Sequence, residues 1–350
     1  MYSFQACVSL TELPMGLPKF TCLAPSNINE ACSYLEEQEG QITILAGGTD
    51  LVMRLKHRLE TPASLLSLRK MNGLESIRYD PDTGFNLGTM CSLANIAVNP
   101  LVKSELSALA RAAAEVASPQ VRNRGTIGGN ICLDTRCWYF NRSWQWRKTL
   151  APCFKAGGDR CYVVKGGKHC YALFQADTVA SLLVLKSKLR LVSRTGERLI
   201  PIETFYSGKG QAPTLHNPRE ILAEIQIPRL PPRSGTSYLK YRKRGSMDFP
   251  VLGLSGFIRL DNEGRSCKEV RFAFTGSDSG PLLIEASQEL EGMEEPTLSP
   301  DQAARLLVDL KPVTHMGVSA SLKRKLAGVM LSKVFREAWQ DAQRRDGDSP

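Results

Sequence analysis

The sequence predicts an α+β protein: two successive α/β units followed by a C-terminal antiparallel sheet with helices. Three observations predict it. Strand-length apolar runs alternate with amphipathic, helix-like stretches up to about residue 230. Pro228-Arg229-Leu230-Pro231-Pro232 then breaks the chain. Beyond it come three strand-like segments and two helical ones. A length of 350 residues suits two or three domains, each with its own core.

Residues 1–17 read as an irregular extension. The first unit spans 18–75. Ser26 is a plausible cap for a helix over 27–39, which Gly40 ends. Ile42 to Leu45 reads as a buried strand that runs into Ala46-Gly47-Gly48-Thr49-Asp50, and a helical turn follows through about Leu59. Ala63 to Leu68 is a further strand. The second unit spans 76–230. Ile77–Tyr79 and Phe85–Gly88 form a hairpin around Asp80-Pro81-Asp82-Thr83-Gly84. Ser92 starts a helix near 93–97, and an Ala-rich helix runs over 101–117. A glycine turn, Gly125-Thr126-Ile127-Gly128-Gly129-Asn130, comes next. Residues 132–172 read as an insertion, holding three of the four tryptophans and half of the ten cysteines. Periodicity resumes at Asp177 with a helix to Leu185, strands over 188–193 and 198–201, and a strand from Glu220 to Ile227. The third unit, 233–343, carries strands at Ser237–Lys243, Val251–Leu260 and Val270–Thr275, then helices near 301–309 and 320–343.

Composition excludes several classes. Apolar content of 42% and charged content of 23% are those of a globular chain. No apolar run approaches the roughly 18 residues of a membrane span. Met1 to Pro18 carries no Lys or Arg, so a secretory signal is not expected. The chain reads as cytoplasmic, with neither membrane nor nucleic acid as a partner. Its cysteines then read as thiols or metal ligands rather than bridges. Cys7, Cys22, Cys32, Cys91 and Cys267 are scattered and read as small buried hydrophobes.

Cys137, Cys153, Cys161 and Cys170 are the exception. They are spaced by 15, 7 and 8 residues, with no C-x-x-C pair and no common ferredoxin run. Four thiolates suit tetrahedral zinc or a [4Fe–4S] cluster, and aromatic surroundings would exclude water. Reduced thiols in a folded loop are the bland alternative. Cys132 lies beside the glycine turn and reads as structural; His169 reads as incidental. Residues 132–172 carry eight basic and two acidic side chains, a net +6 out of +10 for the chain. That excess could offset an anionic cluster, dock an acidic electron carrier, or simply be a solvated face.

Either glycine turn alone is an ordinary tight turn. Two of them, one per unit, are better explained by both gripping a diphosphate. Paired glycines at a strand-to-helix turn let backbone N–H groups approach an oxyanion. Neither turn has the G-x-G-x-x-G spacing of a dinucleotide fingerprint. Taken alone, Asp177 reads as a helix cap and Lys240 as a solvated strand lysine.

Ala46-Gly47-Gly48-Thr49-Asp50-Leu51, Arg124-Gly125-Thr126-Ile127-Gly128-Gly129-Asn130-Ile131 and the helix opened by Asp177 together resemble the FAD-binding subunit of the molybdenum hydroxylases. That family includes xanthine dehydrogenase and carbon monoxide dehydrogenase. The resemblance covers about residues 18–340. It implies two subdomains clasping an extended FAD, plus the C-terminal α+β domain. It places Ile44, Leu45, Ala46, Gly47, Gly48, Thr49, Asp50 and Leu51, with Thr126, Ile127, Gly128, Gly129 and Asn130, around the diphosphate. Asp177 would contact the ribityl or ribose region, and Leu222 and Lys240 would lie near the flavin ring. The insertion, from Cys132-Leu133-Asp134-Thr135-Arg136-Cys137 and including Trp146-Arg147-Lys148, is similar to that of 4-hydroxybenzoyl-CoA reductase β subunits. There it implies an extra [4Fe–4S] cluster on Cys137, Cys153, Cys161 and Cys170. No molybdenum-site sequence and no C-x4-C-x2-C run of a [2Fe–2S] domain is evident. The implied partners are therefore a molybdopterin-binding large subunit, a small subunit with two [2Fe–2S] clusters and a ferredoxin donor. A purine or heteroaromatic dehydrogenase with the same wiring is the alternative. A zinc-stabilised, non-catalytic module is a second.

Overall fold

The computed structural model describes residues 16–347, so Cys7 and most of the expected N-terminal extension lie outside the described residues. Three sheets organise the described residues. The first is parallel, with β1 (Thr21–Leu23), β3 (Ser64–Ser67) and β2 (Ile42–Leu45) in that spatial order. Parallel neighbours need crossovers, which the helices Ile28–Glu37 and Leu51–Lys56 supply. The cap of the first helix is Asn27 rather than Ser26: its side chain accepts the Glu30 N–H at 2.9 Å. Ser26 instead donates back to the Glu30 carboxylate through both its N–H and its hydroxyl.

The second sheet is antiparallel, in the order β4 (Ile77–Asp80), β5 (Gly84–Gly88), β8 (Ile221–Pro228), β6 (Lys188–Ser193), β7 (Gly196–Pro201). The hairpin turn is held by Asp80, whose carboxylate accepts the N–H groups of Asp82 and Thr83. The helix expected over 101–117 is two helices, Pro100–Glu105 and Ser107–Glu115. Leu106 leaves the helical region at φ −129 and turns its side chain into the core. The break frees Ser107 to bond Thr236 and Asp341 of the C-terminal unit.

The third sheet is antiparallel, in the order β12 (Leu282–Glu285), β11 (Cys267–Thr275), β10 (Leu252–Leu260), β9 (Ser234–Tyr241). Its β12, like β1, is too short to stand out in the sequence. One face sends Tyr238, Phe257 and Ala273 into a core shared with the helices Ser107–Glu115 and Asp177–Val184. The other face packs beneath the long helix Ala320–Gly347 through Phe272, Phe335 and Trp339. Glycine makes that contact close. A Cβ on Gly235 would sit 2.1 Å from the Ala338 carbonyl oxygen. No helix among the described residues is long and apolar enough to cross a membrane.

Residues 132–172 form the insertion. They hold one short helix, Trp144–Arg147, and one 3-10 turn, Phe154–Ala156. Arg136 and Leu173 exchange both backbone hydrogen bonds and close its base.

Candidate functional site

A cleft of about 1110 Å³ runs between the three units. That exceeds the roughly 300–1,000 Å³ of ordinary small-molecule pockets and suits an extended dinucleotide. Both glycine turns line it, through Ile44, Ala46 to Leu51, Thr126, Gly128, Gly129 and Asn130. Leu45 and Ile127 do not; Ile127 is fully buried beneath its turn.

The two turns touch each other. A Cβ on Gly47 would lie 1.9 Å from the Arg124 carbonyl oxygen, so only glycine permits this approach. Gly48 adopts φ +73, which favours glycine for a second reason. In the second turn Thr126 caps the helix Ile127–Ile131 by accepting the Gly129 N–H at 3.1 Å. Asn130 reaches the next element: its side-chain oxygen accepts the Thr178 N–H and hydroxyl. This bond ties the turn to the helix Asp177–Val184.

Asp177 lines the cleft and is buried. It is not a cap but the first residue of its helix. Tyr238 donates to it at 2.6 Å, and the Lys240 ammonium lies 3.1 Å from it. Burial raises the Asp177 carboxyl to about 6, against the downward pull of Lys240 and Tyr238. Lys240 is not a solvated strand lysine. Its side chain is fully buried behind Asp177, also bonds the Glu115 carbonyl oxygen, and does not line the cleft. Leu222 lines it beside the second turn: its carbonyl accepts the Thr89 hydroxyl, and Thr89 packs under Gly128. The register shifts there: Arg190 faces Glu224 and Leu191 faces Leu222, so Ala223 of β8 is the bulged residue next to Leu222.

The four cysteines line one second pocket, far smaller than the cleft at about 10 Å³. All four are free thiols. Its aromatic wall is Tyr139, Phe154, Tyr162 and Tyr171, not the tryptophans. Trp138 and Trp144 are exposed instead, stacked under Arg142 and Lys148. Burial raises the Cys137 thiol; the N–H groups of Phe140 and Tyr139 oppose this, and Cys153 and Cys161 add to it. Burial likewise pushes Cys170 up to about 11. A cationic inorganic core would reverse that bias and hold the sulfurs as thiolates. Among the described residues no three His, Cys, Asp or Glu side chains converge on a point that could hold one metal ion. A lone zinc needs sulfurs about 2.3 Å from a common centre. No such centre is formed among the described residues. Glycine shapes this pocket too, since a Cβ on Gly210 would lie 2.9 Å from the Cys170 sulfur.

The two cavities adjoin. Cys137 lines both. Arg136, the residue before it, lines the cleft and pairs with Asp50 of the first turn. Asp134 bridges Arg54 and Lys155, each at 2.7 Å. Arg147 donates to the carbonyls of His57, Arg58 and Arg142. Much of the insertion's positive charge is thus bound internally rather than solvated. Lys165 and Lys168 remain exposed, with no ion pair among the described residues. Cys132 opens onto the cleft, not the cysteine pocket. Of the scattered cysteines, Cys32, Cys91 and Cys267 are buried as expected, whereas Cys22 is exposed.

Comparison with known proteins agrees with this architecture. Residues 18–230 match the FAD-binding domain of molybdopterin dehydrogenases, and residues 237–338 match the carbon monoxide dehydrogenase flavoprotein C-terminal domain. Caffeine dehydrogenase subunit beta of a Pseudomonas species is 31% identical over 270 residues, 77% of each chain. The carbon monoxide dehydrogenase medium chain of Hydrogenophaga pseudoflava is 26% identical over 324 residues, 92% of this chain and 98% of that one. A solved carbon monoxide dehydrogenase from the same organism superposes with a TM-score of 0.75 at 24% identity, covering 93% of this chain and 99% of that one. The cleft walled by two touching glycine turns, with these matches, makes the chain a member of the FAD-binding subunit family of the molybdenum hydroxylases, and so an FAD-binding oxidoreductase subunit.

Proposed function

We propose that this chain holds FAD in the cleft and a [4Fe–4S] cluster on Cys137, Cys153, Cys161 and Cys170, and relays electrons between them within a 4-hydroxybenzoyl-CoA reductase-like complex. One observation carries the reading: Cys137 belongs to both cavities, so a cluster on its sulfur would adjoin the bound flavin. The FAD and the cluster would supply the electron chemistry; the chain positions and tunes them. Ile44, Ala46 to Leu51, Thr126 and Gly128 to Asn130 hold the diphosphate, with Gly47, Gly48 and Gly129 keeping the backbone bare. Asp177 offers its carboxylate to a ribityl or ribose hydroxyl. Lys240 and Tyr238 fix that carboxylate in place. Leu222 forms an apolar wall. Tyr139, Phe154, Tyr162 and Tyr171 limit water around the sulfurs. The partners are a molybdopterin-binding subunit, a small subunit with two [2Fe–2S] clusters and an acidic ferredoxin that docks at Lys165 and Lys168.

Anaerobic purification of the native complex tests this. The complex should carry about eight iron and eight sulfide per FAD, about four of each beyond the two [2Fe–2S] clusters of the small subunit. Cys161→Ser should lose iron and keep FAD. Only about four iron per FAD in the native complex, or an unchanged iron content in the variant, would remove the cluster. Reversing Lys165 and Lys168 to Glu should flatten the salt dependence of ferredoxin reactivity; an unaltered slope sinks the docking site.

A second reading keeps the cofactors and changes the substrate. The relatives include proteins named for nicotinate, caffeine and xanthine, which favours a heteroaromatic dehydrogenase. Reductive removal of the aryl-CoA thioester's ring hydroxyl as water, assayed against heteroaromatic oxidation with the intact complex, separates the two.

A further inference from the structure

The cleft has a third wall that neither glycine turn explains. His315 and Lys323 line it from the C-terminal unit. His315 is 7% exposed, and its Nε2 is buried with no hydrogen-bond partner. Lys323 is 1% exposed, and its ammonium makes one hydrogen bond, to the Gly276 carbonyl at 2.9 Å. An orphaned buried nitrogen costs about 1–3 kcal/mol, and a buried ammonium with spare donors costs more. Two such groups on one cavity wall imply a ligand that satisfies them.

Their position narrows the ligand. Gly276 donates to the Phe174 carbonyl, and Phe174 donates to the Asp278 carbonyl. Phe174 follows Leu173, which is paired to Arg136 beside Cys137. Lys323 is therefore anchored to the chain segment that borders the cysteine pocket. The glycine turns already account for the diphosphate. Two acceptor-bearing parts of FAD are still without donors, the adenine and the pyrimidine edge of the flavin; only the second gathers negative charge on reduction, which suits a buried ammonium.

We propose that His315 and Lys323 form a polar clamp on the pyrimidine edge of the flavin ring, and that the Lys323 charge raises its reduction potential. The proposal rests on the FAD reading above. A fixed positive charge there favours the reduced over the oxidised flavin. His315 supplies a ring nitrogen to the same edge and contributes mainly to affinity.

The test uses the full-length chain, co-purified with its partner subunits, and reads flavin potential and FAD affinity. Lys323→Met should lower the preference for reduced over oxidised FAD at least tenfold, a fall of about 30 mV for a two-electron couple. Lys323→Arg keeps the charge and should recover most of that shift. His315→Leu should weaken FAD binding several-fold. Folding is controlled within the same set: Lys323→Met removes an under-bonded buried charge, so thermal stability of its FAD-free form should hold or rise. A flavin potential that is unchanged in Lys323→Met would overturn the clamp. So would an equal loss of affinity for both redox forms, which would put Lys323 on the diphosphate. Wild-type protein that binds no FAD at all would refute the FAD reading itself, a distinct result.

Discussion

Gly129→Ala separates binding from folding at the second turn. Gly129 lies within the helix Ile127–Ile131, is exposed to the cleft, and donates its N–H to Thr126. A Cβ there would meet only the Thr126 hydroxyl, at 3.1 Å, with nothing else within 4 Å. In the FAD-free chain the change replaces a poor helix former with the best one, worth up to about 1 kcal/mol less whatever the 3.1 Å contact costs. With FAD bound, the methyl occupies the space through which an oxyanion reaches the backbone. Losing one charge-assisted hydrogen bond costs about 1.5–3 kcal/mol, or roughly 10- to 150-fold in affinity. Stability without FAD and affinity for FAD should therefore move in opposite directions. Gly47→Ala is the contrast. Its Cβ would lie 1.9 Å from the Arg124 carbonyl oxygen, so the two turns must part, costing about 1–3 kcal/mol of stability along with FAD binding. Urea unfolding of FAD-free protein and fluorescence titration with FAD measure both quantities. If Gly129→Ala destabilises the FAD-free chain as Gly47→Ala does, or binds FAD as tightly as wild type, the turn does not present its backbone to a phosphate.

Two further outcomes follow from the charges behind the cleft. Because burial raises the Asp177 carboxyl to about 6, the folded chain binds the extra proton between the ordinary value of 3.8 and 6. Wild type should thus lose stability relative to Asp177→Asn as pH rises through that window, by up to about 3 kcal/mol; a difference of opposite sign would make the Lys240 ion pair the dominant effect. Arg147→Lys cannot reproduce the fork that reaches the His57 and Arg58 carbonyls, so the insertion should become sensitive to limited proteolysis while FAD content holds.

Legibility followed how local each signal was. The strand Ile42–Leu45 and the helix from Asp177 declare themselves by runs of apolar residues, and the glycine turns by residue type. The break at Leu106 does not, because no Gly or Pro marks it. Its cause lies in Thr236 and Asp341, far along the chain. Lys240 and Lys323 were illegible for a related reason. Lys323 stands among Ser321, Arg324 and Lys325, a neighbourhood that reads as solvated helix, yet tertiary packing buries it. No signal in the sequence distinguishes it from its neighbours. The insertion's charge was visible as a count but not as a set of partners. Asp50 and the His57 and Arg58 carbonyls belong to the first unit, outside any window that contains Arg136 or Arg147.

Those partners change what the positive charge of residues 132–172 does. The insertion's own core is small: Cys137, Cys170 and Ala172, with Tyr139, Phe140, Phe154 and Val163 packed against them. So little apolar burial cannot offset the entropy of ordering a segment with two short helical turns. Fastenings are needed, and three are in place at its base: the Arg136–Leu173 bridge, the Arg147 clamp and the Arg54–Asp134–Lys155 chain. Each lies near the first glycine turn or the helix after it, so the insertion is fixed to the same element that walls the cleft. Farther out the ties are single hydrogen bonds: Lys155 donates to the Gly210 carbonyl, Gln211 to the Phe154 carbonyl and Ser279 to the Cys170 carbonyl. A cluster on the four sulfurs would be both the electron carrier and the staple for that part of the chain, since metal binding at such a site is itself folding energy. The base holds the insertion against the cleft; a cluster on the sulfurs would hold the rest of it together.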